Sequence, residues 1–208
     1  MRKGIAITIV WGLLFVTACN DPAADRSKAR TGEAAQVASP AVPQGQKYSI
    51  TPQNSKVEFI GSKVTGKHDG SFGEFSGQID YAGSPENSRV NITIKTDSIT
   101  TDTPDLTKHL KTADFFEVEK YPEATFLSTA ITPGGENGAS HTVTGNLTLH
   151  GVTKAITFPA TINVTPDAAT VESSFSINRK DFGINYAGAA DNLIRDNVVL
   201  ALHVRATK

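Results

Sequence analysis

The chain predicts an all-β fold, a sandwich or barrel of antiparallel strands interrupted by one short helix. Three observations carry this. Apolar and polar residues alternate through most of the sequence after Gln46, the period of strands with one buried face. Turn signals divide the alternating runs evenly, at residues 83–85 (Gly-Ser-Pro), 133–135 (Pro-Gly-Gly), 166–167 (Pro-Asp) and 188–189 (Gly-Ala). One stretch, around residues 104–114, has helical spacing instead.

The N-terminus reads as a targeting segment. Arg2 and Lys3 precede an apolar run from Ile5 to Val16, shorter than the roughly 20 residues that span a bilayer. Val16-Thr17-Ala18-Cys19 then fits a lipobox, predicting a signal peptide at 1–18 and lipidation of Cys19, the chain's single cysteine. The mature chain therefore has no disulfide. Acyl chains would hold it on a membrane without a spanning helix, since one chain alone binds marginally and several bind stably. Asn20 rather than aspartate follows the cysteine, which favours the outer membrane over the inner. The expected location is the periplasmic face of a bacterial membrane.

Residues 19–46 comprise the cysteine and an Ala-, Pro-, Gln- and Ser-rich stretch without apolar period. It is expected to be a disordered tether with a root-mean-square span of about 30 Å. The folded domain is expected over 47–208. The formal net charge of −1 falls by two, to −3, when Arg2 and Lys3 leave with the signal. That leaves no electrostatic footprint for nucleic acid.

The strands follow in order. Val57, Phe59 and Gly61 share one face, as do Phe75, Gly77, Ile79 and Tyr81. Phe72 breaks that phase, and Gly73 suggests a bulge. Alternation continues through Val90 to Ile94, Val143 to Leu149, Ile156 to Val164, Val171 to Ile177 and Val198 to Ala206. In the helical stretch, Thr103 suits the N-cap, Pro104 the first helical position and Asp105 the positive end of the dipole. Leu106 and Leu110, four apart, form one face that can pack on the sheet. Phe115 and Phe116 leave the helix, and Tyr121-Pro122 turns the chain into a strand from Ala124 to Ile131.

Three motifs in fixed order carry a resemblance: DLTKHLKTADFFEVEKYP at 105–122, GNLTLHGVTK at 145–154 and NRKDFGI at 178–184. Together they resemble the YceI-like family of bacterial polyisoprenoid-binding, lipocalin-like proteins. The resemblance covers about residues 47–208. It resolves the sandwich-or-barrel alternative toward an eight-stranded antiparallel lipocalin-like barrel, which can be filled by side chains or hold one small ligand. It implies binding, storage or transport of an amphiphilic isoprenoid lipid, a polyprenyl phosphate or a quinone, in the barrel interior. A fatty acid or fatty amide in the same cavity is the alternative, as is a solid barrel acting as an envelope interaction module.

The candidate lining is aromatic and aliphatic: Phe72, Phe75, Phe115, Phe116, Phe126, Phe158, Phe175, Phe182, Leu200 and Leu202. Candidate headgroup contacts are His109 and Arg179; ion pairing of Arg179 with Asp181 to fix a turn is its structural alternative, and backbone bonding is that of His109. Lys63, Lys67, Lys180 and Arg195 are further rim candidates. Enzymatic activity is not expected. The chain has no Gly-x-Ser-x-Gly elbow, no His-Glu-x-x-His, no cysteine cluster and no carboxylate pair with assignable roles. No resident cofactor or metal is expected.

Overall fold

The computed structural model describes residues 21–35 and 45–208; the expected signal peptide, Cys19 and residues 36–44 lie outside the described residues. The strands are β1 (Ser27–Lys28), β2 (Arg30–Glu33), β3 (Gln46–Ile50), β4 (Lys56–Lys63), β5 (Gly66–Phe72), β6 (Phe75–Tyr81), β7 (Arg89–Lys95) and β8 (Ile99–Thr101). After the helix α1 (Pro104–Leu110) come β9 (Glu123–Pro133), β10 (His141–Leu149), β11 (Val152–Val164) and β12 (Ala168–Asn178). A small hairpin, β13 (Gly188–Ala189) with β14 (Asn192–Leu193), precedes β15 (Asn197–Thr207).

β12, β11, β10, β9, β7, β6, β3 and β15 pair in that order, and β15 returns to β12, closing an eight-stranded antiparallel barrel. β4 shares with β3 the same edge of β15 and continues the wall through β5 to β8. The expected alternation points Val57 and Phe59 inward on β4, and their buried faces meet those of β7, β10, β11, β12 and β15 in three contiguous apolar clusters.

The local chemistry of the motifs explains the turns. His150 and Gly151 both have positive φ, 50° and 75°, and join β10 to β11 as a two-residue hairpin of the twist-matching kind. A Cβ at Gly151 would lie 2.4 Å from the Tyr121 ring, so that position accepts glycine only. After β12, Asn178 Oδ1 accepts from the Lys180 N–H at 3.0 Å, and Gly183 takes φ 76° to end the turn.

Three local expectations differ from the structure. The irregularity expected at Gly73 is a bend between β5 and β6, and the extra residues lie across from it, since Phe72 pairs with Ile99 and Phe75 with Ile94. The helix stops at Leu110, short of residue 114, and residues 111–120 run as turns. Thr103 occupies the N-cap position but its hydroxyl makes no capping bond; it bonds Asp102 Oδ1 at 3.2 Å. Thr107 Oγ1 instead accepts from the Thr101 N–H at 2.9 Å, tying the helix to the edge of β8.

The largest departure is in the stretch read as a tether. Within 19–46, β1 pairs in parallel with Phe175 and Ser176 of β12, and β2 pairs antiparallel with residues 154–157 of β11. The cause lies in the barrel. β11 and β12 pair directly only from Thr161↔Glu172 to Val164↔Ala169. Two positions before Thr161, on the same edge of β11, stands Pro159, whose carbonyl takes a bond from Ser173 Oγ at 2.6 Å. That carbonyl points at β12, and a strand residue's N–H points the same way as its carbonyl, so the ladder lacks a donor there. The two strands part, and residues 27–33 fill the slot. Ala29 is buried among Ile156, Phe158, Phe175 and Ile177, and Asn146 exchanges two hydrogen bonds with the backbone of Ala35, at 2.9 and 2.8 Å.

Candidate functional site: an apolar cavity along the barrel axis

The barrel is hollow. A cavity of about 240 Å³ runs inside it, from Ile50 and Val204 at one end to Ser62, Lys63, His68, Arg179 and Ile194 at the other. On β15 the wall extends from Val198 to Val204, about 20 Å along the strand at roughly 3.4 Å per residue. Every other lining side chain is apolar or absent: the polar members are Ser62, Lys63, His68 and Arg179. These four come from the end of β4, the start of β5 and the residue after β12, so the polarity gathers at one end.

The opposite end is closed. Tyr48 and Ala206 are fully buried there and Ala169 nearly so. The Tyr48 hydroxyl donates to Gln46 Oε1 at 2.7 Å or the Thr165 carbonyl at 2.9 Å, which satisfies its polar atom at the plug.

The helix supplies part of the wall. β8 has β5 as its ladder partner, and α1 with the turns after it carries Leu106, Leu110, Phe115 and Phe116 into the cavity lining. The Leu106/Leu110 face thus packs as its spacing predicts. Glycine makes room for the aromatic walls. A Cβ at Gly70 would sit 2.2 Å from the Phe59 ring, and one at Gly145 would sit 2.4 Å from that of Phe126; each ring occupies the space that a side chain would take. Phe158 and Phe175 stack at 4.2 Å with ring planes 12° apart.

Of the ten expected lining residues, Phe72, Phe115, Phe116, Phe126, Phe158, Phe175, Leu200 and Leu202 stand in the cavity wall. Phe75 and Phe182 do not. Phe75 packs against Tyr48 and Ile50 in the closed end, and Phe182, in the turn after β12, is fully buried behind the wall with Ala29 and Ile156. Inward residues such as Ile92, Val143, Ile156, Val171 and Ile177 complete the wall. Their alternation in the sequence marks them as inward-facing. Ile184 and Ile194 lie outside regular strands, where no period signals them.

The two headgroup candidates are placed differently. Arg179 is buried and touches the cavity, but its guanidinium is engaged: Nε donates to the Arg195 carbonyl at 3.2 Å, Nη1 to that of Ile184 at 2.7 Å and Nη2 to Asp196 Oδ1 at 3.2 Å. Its carboxylate partner is Asp196, not Asp181. Burial pulls its pKa below the ordinary value, and the charge of Asp196 opposes that. His109 lies outside the cavity wall, bonded to Asp114 Oδ2 at 2.7 Å and set edge-on to Phe115 and Tyr186. The histidine that does reach the cavity is His68, which sequence reading did not single out. Its Nδ1 is 2.9 Å from Asp102 Oδ1. The hydrogen bond from His68, with its Coulombic attraction, holds Asp102 below the usual carboxylate range. Of the rim candidates, Lys63 lines the cavity, whereas Lys67, Lys180 and Arg195 do not.

Among the described residues no group of three or more His, Cys, Asp or Glu side chains is placed to hold a metal, and no helix is long and apolar enough to cross a membrane. The arrangement offers an enclosed hydrocarbon environment with a few polar groups at one end, suited to a guest with a long apolar body and a polar head.

Known proteins share this architecture. The YceI-like domain profile matches residues 48–206. A UPF0312 protein of Pseudomonas putida (strain W619) is 39% identical over 132 residues, 60% of this chain and 68% of the relative. Burkholderia cenocepacia BcnA superposes with a TM-score of 0.65 at 24% identity, over 76% of this chain and 99% of BcnA. A polyisoprenoid binding domain from Saccharophagus degradans, implicated in plant cell wall breakdown, does so with a TM-score of 0.61 at 20% identity, over 77% and 97%. The Campylobacter jejuni YCEI protein is 27% identical with a TM-score of 0.59, over 67% and 84%. The docked segment at 27–33 lies outside the matched domain.

Proposed function

Because the chain belongs to the YceI-like domain family, we propose that it binds an amphiphilic isoprenoid lipid, a polyprenyl phosphate or a quinone, in the barrel and carries or stores it in the bacterial envelope. The single observation that carries this reading is the continuous apolar cavity with its polar groups at one end. The description of a structural neighbour as a polyisoprenoid binding domain supports the lipid class. The lipobox at Cys19 supports a protein lipidated at that residue and held on the periplasmic face of a membrane, the outer one by the identity of Asn20. The role is that of a binding protein, not an enzyme.

The energetics are adequate. Each buried methylene contributes about 0.8 kcal/mol, so ten of them give about 8 kcal/mol before costs. Ordering a flexible tail and losing translational freedom cancel much of this. The branched, stiff prenyl chain loses less rotational freedom than a straight acyl chain of equal carbon count, and this favours an isoprenoid over a fatty acid.

The test is mass spectrometry of lipid retained by the protein purified from its own membranes, with uptake of a prenylquinone and a polyprenyl phosphate by the emptied protein. Retention of a prenyl lipid, displaced weakly by palmitate, is expected. A protein that takes up neither prenyl compound refutes the proposal; preference for palmitate moves the ligand to the fatty-acid class.

A further inference from the structure

We propose that the open end of the barrel rests on the lipid bilayer itself, with Val64 and Leu193 in contact with it, so that the cavity faces the membrane rather than the aqueous space. This rests on the lipidation of Cys19 in the reading above, and three observations of the molecule point to it.

The first is the length of the tether. A disordered stretch of residues 19–46 would leave the barrel free to turn in any direction. In the structure Asp21 already contacts the barrel, its Oδ2 lying 3.4 Å from Nη1 of Arg195, and residues 27–33 are built into the wall. Cys19 stands two positions before Asp21 in the sequence. Two residues of extended chain reach no more than about 7 Å, so an acylated Cys19 holds Asp21 within about that distance of the membrane interface, and Arg195 is the next contact beyond it.

The second is what surrounds Arg195. Among the described residues the exposed large hydrophobic side chains are Val64, Tyr186 and Leu193, at 46%, 37% and 48%. Leu193 is two positions from Arg195. The Val64 N–H donates to the Leu193 carbonyl at 3.2 Å and Thr65 Oγ1 to Asn192 Oδ1 at 2.7 Å, so the tip of the β4–β5 hairpin and the β13–β14 hairpin form one joined platform. Tyr186 belongs to the segment entering that second hairpin, and Ala187 is bonded to Ile194 at 2.9 Å. Scattered single apolar residues on a surface need no explanation. Gathering on one platform, beside the point where the chain leads to the anchor, is what a lipid-facing rim requires.

The third is the position of the cavity. Lys63, next to Val64, and Ile194, next to Leu193, both line it, so the platform is the rim of the polar end. The other end is closed by Tyr48. A lipid that enters through this rim lodges its tail in the apolar length of the cavity beyond it, and its polar head stays at the end nearest the headgroup layer.

The experiment places single tryptophans. Trp11 is the sole tryptophan of the chain and precedes Cys19, so the processed protein contains none. Leu193→Trp and Val64→Trp report on the rim, and Gln53→Trp, exposed in the β3–β4 turn at the closed end, reports on the far side. Each variant is purified from membranes and reconstituted into phosphatidylethanolamine–phosphatidylglycerol vesicles with and without brominated acyl chains. The expected result is strong quenching and a blue-shifted emission at 193 and 64, with neither at 53. Quenching at 53 equal to that at the rim, or no quenching at 64 and 193 in protein that floats with the vesicles, overturns the orientation. Prenylquinone retention is measured on the same samples. Retention with the quenching pattern reversed overturns the orientation and leaves the carrier reading intact; rim quenching without retention does the opposite. The mass of the N-terminal peptide reads acylation separately, and an unmodified Cys19 with no flotation overturns both anchor and orientation.

Discussion

Ala29 gives the sharpest test of how the wall is built. It is 4% exposed, contributed by the segment that fills the slot between β11 and β12, and packed among Ile156, Phe158, Phe175 and Ile177. Ala29→Asp would put a carboxylate into that cluster with no cation beside it. The effective cost of an unpaired buried charge is several kcal/mol, and a protonated but unbonded carboxyl still costs about 1–3 kcal/mol. The chain has a less costly alternative, because residues 27–33 form an insertion and leave the remaining ladder of β10, β9, β7 and β6 intact. The expected response is therefore local: the segment lifts out, and the loss is capped at the free energy of docking it. The assay is hydrogen exchange read by mass spectrometry. Amides of residues 29–33 should lose protection while those of β10 keep theirs, and an apolar dye such as Nile red should enter the opened wall faster. The pH dependence follows from burial, which raises the carboxyl's folded pKa. The destabilisation is complete above that pKa and shrinks as the pH falls below it. Unchanged protection at 29–33 with a denaturation midpoint within about 0.5 kcal/mol of wild type would refute the reasoning, and so would uniform loss of protection throughout the barrel.

Other expectations follow from single contacts. Gly70→Val forces the Phe59 ring out of the position 2.2 Å from the new Cβ; it should cost about 1–3 kcal/mol in urea denaturation and weaken prenylquinone uptake, since the displaced ring lines the cavity. Phe175→Asp places a charge beside the stacked Phe158 ring and should abolish prenyl-lipid uptake in whatever fraction remains folded; uptake preserved in that fraction would show that this wall is not used. Arg179→Met removes donors from the carbonyls of Ile184 and Arg195 and should cost about 2–4 kcal/mol, with the share due to half-exposed Asp196 small. For Asp102, the folded pKa lies below the ordinary 3.8 because His68 donates to it. Its contribution is present above the unfolded value and is lost as the pH falls through the folded one. An NMR titration should find its midpoint below 3.8, and His68→Ala should restore it.

The alternation of β4, β7, β10, β11, β12 and β15 was legible because a strand half-buried in a curved wall must present every second residue to the interior. The helix was legible from Pro104 and from the Leu106/Leu110 spacing, both local signals. The cavity wall was partly legible for the same reason: Phe158, Phe175, Leu200 and Leu202 sit in phase. The pattern could not distinguish Phe75 and Phe182 from them, because inward direction is set by the strand, whereas reaching an open space depends on what lies across the barrel. The pairing of Arg179 with Asp196, 17 positions away, rather than with its near neighbour Asp181, depends on β15 lying beside the turn.

By itself the sequence determined where strands, turns and helix lie and which faces are apolar, since these follow from residue spacing and side-chain sterics that act over a few positions. The tertiary structure alone decided that the interior is hollow, that its polarity gathers at one end, and that residues 27–33 are part of the wall. That last segment has no apolar period of its own; its order comes from backbone groups left unpaired where β11 and β12 part at Pro159. Hydrogen-bonding demand created by two distant strands is a property of their packing, and no local reading of residues 19–46 contains it.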